Sequence, residues 1–385
     1  MRMNQYKDLI CFSHLRWGFV YQRPQHLLSR AARTFRVFFI EEPYFDAAEP
    51  HYKHFVDADS GVNIIAPHLP AGFAHDATEM MYREVVDRVA EEHRIEPAVL
   101  WYYTPMALGF SRHMKAPVTV YDCMDELSAF KGAPPILRDR EAELFGIADV
   151  VFTGGHSLFE VKRFQHPDVH AFPSSIDFAH FAQARNGIPH ASDQAGIPNP
   201  RIGYCGVIDE RMDLDLLTGV AALRPQYHFI MLGPIVKIDP AQLPQRSNIH
   251  YLGSKNYKEL PSYLAGWDAA MLPFARNEST RFISPTKTPE YLAAGKPSIS
   301  TSIRDVVRPY GEKNLVFIAD SPEEFAAAID RALAVDKSRW LPQVDDFLKT
   351  NSWDITWNRM CDVITQRSGA KLAHLSVKRE AVASL

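Results

Sequence analysis

Ser284-Pro-Thr-Lys-Thr-Pro-Glu-Tyr-Leu-Ala-Ala-Gly-Lys-Pro297 lies between two short apolar runs, AAMLPF around Met271 and PSISTS around Ile299. Its opening residues are loop formers and its middle is rich in helix formers. Gly295-Lys-Pro297 then ends the helix and turns the chain into the next run. The local order is strand, loop, helix, strand. Short apolar runs joined through a helix are the mark of a parallel sheet covered by helices, so this stretch predicts an α/β fold.

The same alternation extends in both directions. Upstream stand the strand candidates RIGYCGV, HFIMLG and NIHYLG, with helical stretches LDLLTGVAAL and ELPSYLAGW between them. Downstream, NLVFIAD leads to a helix opened by Ser321-Pro-Glu-Glu324, where Ser caps, Pro takes the first turn and Glu324 completes a capping box. From Trp340 to about Gln366 the chain reads as helix, with Phe347, Trp353, Trp357, Met360 and Ile364 predicting a packed segment. KLAHLSVKREAVASL carries only weak helical periodicity.

The first half is a second series of the same kind: DLICFS, RVFFIEE, AVLWYY, VTVYD, DVVFTG and VHAFP. Met81, Tyr82, Val85, Val86 and Val89 repeat at helical spacing behind Thr78, read as an N-cap. The periodicity stops in a Gly, Pro, Asn and Ser-rich stretch. We therefore expect a first domain over 1–185, a linker at 186–199, a second domain over 200–345 and a helical segment at 346–385 able to cross back to the first.

A chain of 385 residues suits two cores, and 46% hydrophobic with 23% charged residues is ordinary globular composition. The net charge of -4 argues against a nucleic-acid binder. Cys11, Cys123, Cys205 and Cys361 form no CxxC pair, so neither a zinc site nor a disulfide framework is signalled. The polar start MRMNQYKDLICF has no signal-peptide character, and no apolar run reaches the ~18 residues of a membrane span. The expectation is a cytoplasmic protein, with peripheral attachment at the inner face of the cell membrane left open.

The helix opened by Ser284 and Thr286 offers unpaired N–H groups and a positive dipole end to an anion, and Lys287 adds a full charge. A diphosphate suits that place. Glu290, one turn in, can accept hydrogen bonds from a ribose; otherwise it is a favourable first-turn charge and Lys287 a solvated side chain. Arg211 is the cation of the turn Val207-Ile-Asp-Glu-Arg211. It contacts phosphate, or it forms a surface pair with Asp209 or Asp213.

Tyr121-Asp-Cys-Met-Asp125 follows a strand, which puts both carboxylates at the sheet edge where open α/β folds place ligands. A base to take a hydroxyl proton suits that edge, with Asp125 the first candidate and Asp122 the second. The alternative is that they cap the helix near Glu126 and bind loop amides. His14, Arg23, His26 and the Gly155-His156 turn share the edge. One histidine among 16 is more often structural. Asp213-Leu-Asp215 opens a helix and is read as N-terminal charge rather than a metal motif, so no metal and no cofactor are expected.

Glu290-Tyr-Leu-Ala-Ala-Gly-Lys-Pro297 resembles the donor-site motif of GT-B glycosyltransferases, whose second domain carries a Glu-Ala-x-Ala-x-Gly-x-Pro-type helix. The likeness is closest to bacterial family 1/4-type polysaccharide transferases of the teichuronic acid or exopolysaccharide type. It extends through WGFVYQRPQHLLSR, VYDCMDELSAF, VFTGGHSLFEVKR and IGYCGVIDERMDLDLL. The resemblance implies two Rossmann-like domains facing a central cleft and metal-independent transfer of a sugar from a UDP- or GDP-linked donor to a saccharide or lipid-linked acceptor. It places Glu290 on the donor ribose and Lys287 on the diphosphate, with Ser284, Thr286 and Arg211 around them and Asp125 as base. The sequence departs from the pattern at Phe282, where relatives often carry Glu, and at 207–211, where Arg211 is the single cation. A nucleotide-sugar epimerase on the same fold and a non-catalytic nucleotide-sugar-binding scaffold are the competing readings.

Overall fold

The computed structural model describes residues 8–96 and 98–383. Met1–Lys7, within the stretch read for a signal peptide, and the last two residues of KLAHLSVKREAVASL lie outside them. The chain divides into two compact units. The first runs to Gly154, resumes over Leu158–Phe172 and takes in the chain from Asp354; the second comprises Gly155–Ser157 and Pro173–Trp353. The crossing at Pro173 precedes the Gly- and Pro-rich stretch at 186–199, which is held within the second unit by contacts such as Gln194 Nε2 to the Tyr263 carbonyl, 2.9 Å.

In the first unit the strands are β1 (Asp8–Phe12), β2 (Arg36–Ile40), β3 (His51–Val56), β4 (Asn63–His68), β5 (Ala98–Tyr102), β6 (Val118–Cys123), β7 (Val150–Thr153) and β8 (Val169–Ala171). They form one sheet in the order β3-β4-β2-β1-β5-β6-β7-β8, parallel throughout except for β3. The helix expected behind Thr78 spans His75–Glu92 with Ala74 as its N-cap. Thr78 sits inside the first turn and its hydroxyl donates to the Ala74 carbonyl, 3.0 Å.

The second unit holds β9 (Arg201–Cys205), β10 (His228–Leu232), β11 (Ile249–Gly253), β12 (Ala269–Leu272), β13 (Ser298–Ser300) and β14 (Val316–Ile318). Their order, β11-β10-β9-β12-β13-β14, all parallel, is the doubly wound order in which the winding reverses between the first and fourth strands. β9 and β12 are buried along their whole length because helices cover both faces. Gly233, at φ 139°, ends β10 so close to β9 that an added Cβ would lie 1.8 Å from the Gly206 carbonyl oxygen. The loops after these two strands therefore start side by side. Ser321 caps the helix Pro322–Leu333 by accepting from Glu324 N–H, 3.2 Å.

Candidate functional site

In a doubly wound sheet the ligand edge is the C-terminal one, at the point where the winding reverses. In the second unit that edge carries the loop after β9, residues 206–213, and the loop after β12, residues 273–286. The backbone pair Met212 and Phe274 bridges the two loops, and Ala275 N–H donates to the Arg211 carbonyl, 2.8 Å.

The β12 loop delivers the helix Lys287–Ala293. Thr286 occupies its N-cap position without a side-chain capping bond, and Ser284 is tied back by Ser174 Oγ, which donates to its carbonyl, 2.6 Å. Lys287 Nζ donates to Glu290 Oε2 at 2.8 Å, with the two side chains only 12% and 4% exposed. Local i,i+3 spacing brings them together. Burial pushes the Glu290 carboxyl above its ordinary range against the pull of Lys287. The next residue, Tyr291, takes a hydrogen bond from Cys205 N–H on its hydroxyl, 2.8 Å, and so pins the helix to the end of β9. Sequence reading passed over Tyr291, because its partner lies 86 positions away.

Arg211 is engaged with Asp209, Nη2 to Oδ2 at 2.7 Å and Nε to Oδ1 at 3.0 Å, and Asp209 is buried. Asp213 caps the helix Leu214–Leu223 through Leu216 N–H, 2.8 Å. Phe282 is half-buried in the β12 loop with the Arg281 guanidinium over its ring, 5.1 Å from the centroid. Gly155 gains its place from packing: an added Cβ would meet Asp305 Oδ2 at 2.2 Å. Asp305 Oδ1 accepts from Ser157 N–H, 2.9 Å, so the turn holding Gly155 and His156 is braced by a carboxylate of its own chain.

The first unit gathers its candidates on the corresponding edge of its own sheet. Arg23, at the start of the helix Arg23–Ala31, grips Asp122 at the end of β6 through Nη2, 2.7 Å, and Nε, 3.0 and 3.1 Å. Its Nη1 donates to the Phe172 carbonyl, 2.7 Å. Both side chains are almost wholly buried. Burial pushes the Asp122 carboxyl up against the pull of Arg23. His26 is buried in the same helix with its ring against Tyr21, whereas His14 is half-buried in the loop after β1.

Asp125 is half-buried one turn beyond β6. Its neighbour Glu126 is fixed at both oxygens, by Ser128 Oγ at 2.9 Å and by Lys162 Nζ at 2.8 Å; Lys162 also holds Glu141 at 2.7 Å. The geometry thus separates the two aspartates: Asp122 anchors a buried ion pair, and Asp125 lies in an adjoining loop held by its neighbour. Among the described residues no group of three or more His, Cys, Asp or Glu side chains is placed to hold a metal ion, and no helix is long and apolar enough to cross a membrane.

Two doubly wound sheets, one in each compact unit, define the GT-B class of architecture. Residues 199–334 match the family Glycosyl transferases group 1, and that domain makes the chain a sugar transferase. A protein named for teichuronic acid biosynthesis, the glycosyltransferase TuaH of Bacillus subtilis (strain 168), is 21% identical over 310 residues, covering 74% of this chain and 77% of that one. Among solved structures, sucrose-phosphate synthase from Thermosynechococcus elongatus superposes with a TM-score of 0.69 at 15% identity, over 94% of this chain and 100% of that one. WaaG, a glycosyltransferase of lipopolysaccharide biosynthesis, gives 0.62 at 15% identity, over 93% and 100%. The family match favours transfer over the epimerase and scaffold readings.

Proposed function

We propose that the chain transfers a sugar from a UDP- or GDP-linked donor to a saccharide or lipid-linked acceptor in cell-surface or extracellular polysaccharide synthesis. The observation that carries this reading is the buried Lys287–Glu290 pair at the winding reversal of the second sheet, pinned to β9 by Tyr291. Lys287 neutralises the diphosphate and stabilises it as a leaving group. Glu290 accepts from the ribose, while Ser284, Thr286 and Arg211 line the same edge. Asp125 takes the proton of the attacking hydroxyl. His14, Arg23, His26, Gly155 and His156 belong to the acceptor side, Arg23 acting through its grip on Asp122. The teichuronic acid context of the relative supports a polysaccharide acceptor, and a lipid-linked one would bring the protein to the inner face of the membrane.

The test is incubation of the purified protein with UDP- and GDP-sugars, with and without saccharide acceptors, measuring release of the nucleoside diphosphate. Acceptor-dependent release is the expected result. An altered sugar formed without acceptor would identify an epimerase, and binding without turnover a scaffold.

A further inference from the structure

Glu210 lies in the loop between β9 and the helix Leu214–Leu223, on the edge that carries Lys287 and Glu290. Both of its carboxylate oxygens are buried and neither accepts a hydrogen bond. Lys237 Nζ stands 3.9 Å from Oε1, beyond hydrogen-bond reach. The other acids of the loop are satisfied: Asp209 holds Arg211, and Asp213 caps a helix. A buried acceptor left without a donor is costly and calls for an explanation. Two unused acceptors in one carboxylate fit a ligand that brings two donors.

Its position indicates which part of the ligand that is. Lys237 belongs to the loop after β10, and Ile208 beside Glu210 pairs with Ile235 of that loop. Glu210 therefore sits on the β10 side of the winding reversal, at the crevice in which doubly wound folds hold nucleotides. We propose that Glu210 reads the base of the donor nucleotide, accepting two hydrogen bonds from a paired-donor edge. With the ribose diol already read by Glu290, the group with that chemistry is the N1–H and N2–H edge of guanine; uracil offers a single N–H. The inference rests on the donor-site reading above and adds to it a carboxylate that selects the nucleotide.

The experiment compares full-length wild type with Glu210→Gln, which keeps the shape and removes the charge. Each is titrated calorimetrically with GDP, inosine diphosphate and UDP, and melted without ligand. The variant is expected to melt no lower than wild type, since the carboxylate removed accepts no hydrogen bond and faces Lys237 only at 3.9 Å, and to bind GDP about tenfold or more weakly. A wild-type preference for GDP over the other two that disappears in the variant is the expected result, whereas equal weakening toward all three would mean that no base edge is read and would overturn the inference. A lower melting temperature, or unchanged affinities, would make Glu210 a structural residue and overturn the inference alone. If wild type bound none of the three, the donor-site reading would fall and take this one with it.

Discussion

Lys287→Met separates the two roles proposed for the buried pair in the helix Lys287–Ala293. Methionine keeps the length of the stem and removes the charge, leaving the Glu290 side chain, 4% exposed, without its 2.8 Å partner. Breaking a buried pair by removing one member costs about 3–5 kcal/mol when the survivor stays ionised. Burial already pushes the Glu290 carboxyl upward, so proton uptake limits the loss, and we expect ~2–3 kcal/mol. For a unit of this size that is a fall in melting temperature of about 4–12 °C. Lys287→Met with Glu290→Gln should recover most of it, because no buried charge remains. Turnover should not recover, since the leaving diphosphate has lost its cation; a loss of ~10²-fold at saturating donor is expected in both variants. Thermal unfolding followed by circular dichroism, beside release of nucleoside diphosphate, reads the two effects. A single variant that melts like wild type would refute the energetic argument, and one with full turnover would refute the role in leaving-group departure.

Asp125→Asn should lower transfer by ~10²–10⁴ while donor affinity, proposed to lie with the second unit, stays within about twofold; retained transfer would remove Asp125 as the base. Asp122→Asn should act on stability instead, by ~3–5 kcal/mol in denaturant unfolding, because it leaves Arg23 buried without its carboxylate. Lys296, buried where its ammonium donates to the Trp267 and Ala265 carbonyls, has its pKa lowered to about 8 by burial and by Lys337. Below pH 8 folded and unfolded chains both carry the proton and the buried charge disfavours the fold. Between pH 8 and the ordinary 10.5 the folded chain sheds it first, so stability rises with pH, by ~3 kcal/mol in total. The difference in unfolding free energy between wild type and Lys296→Met should climb across that window, and a flat difference would contradict it.

Strands buried on both faces, such as RIGYC and HFIML, were legible because a continuous apolar run leaves few alternatives. β3 was not, since His51–Val56 is exposed along almost its whole length and offers no apolar face. β4 hid behind Pro67, which is tolerated where it pairs with the antiparallel edge strand. The N-cap read at Thr78 falls four residues late because Ala74 caps the helix without a side-chain signal. Lys287 and Glu290 could be read together because helical spacing makes them neighbours. Arg23 and Asp122, 99 positions apart, meet only through the sheet order, so both were found as edge residues and their ion pair was not. Glu210 lies in IGYCGVIDERMDLDLL, but nothing local marks a carboxylate that finds no hydrogen-bond donor.

The central claim is that the second unit holds a nucleotide-diphosphate sugar at the Lys287–Glu290 edge. Calorimetric titration of wild type and Glu290→Ala with a panel of UDP- and GDP-sugars tests it most directly, with circular dichroism to establish that the variant is folded. The account predicts at least one donor that binds wild type and binds the variant about tenfold or more weakly. A folded variant that bound every donor as wild type does would contradict it.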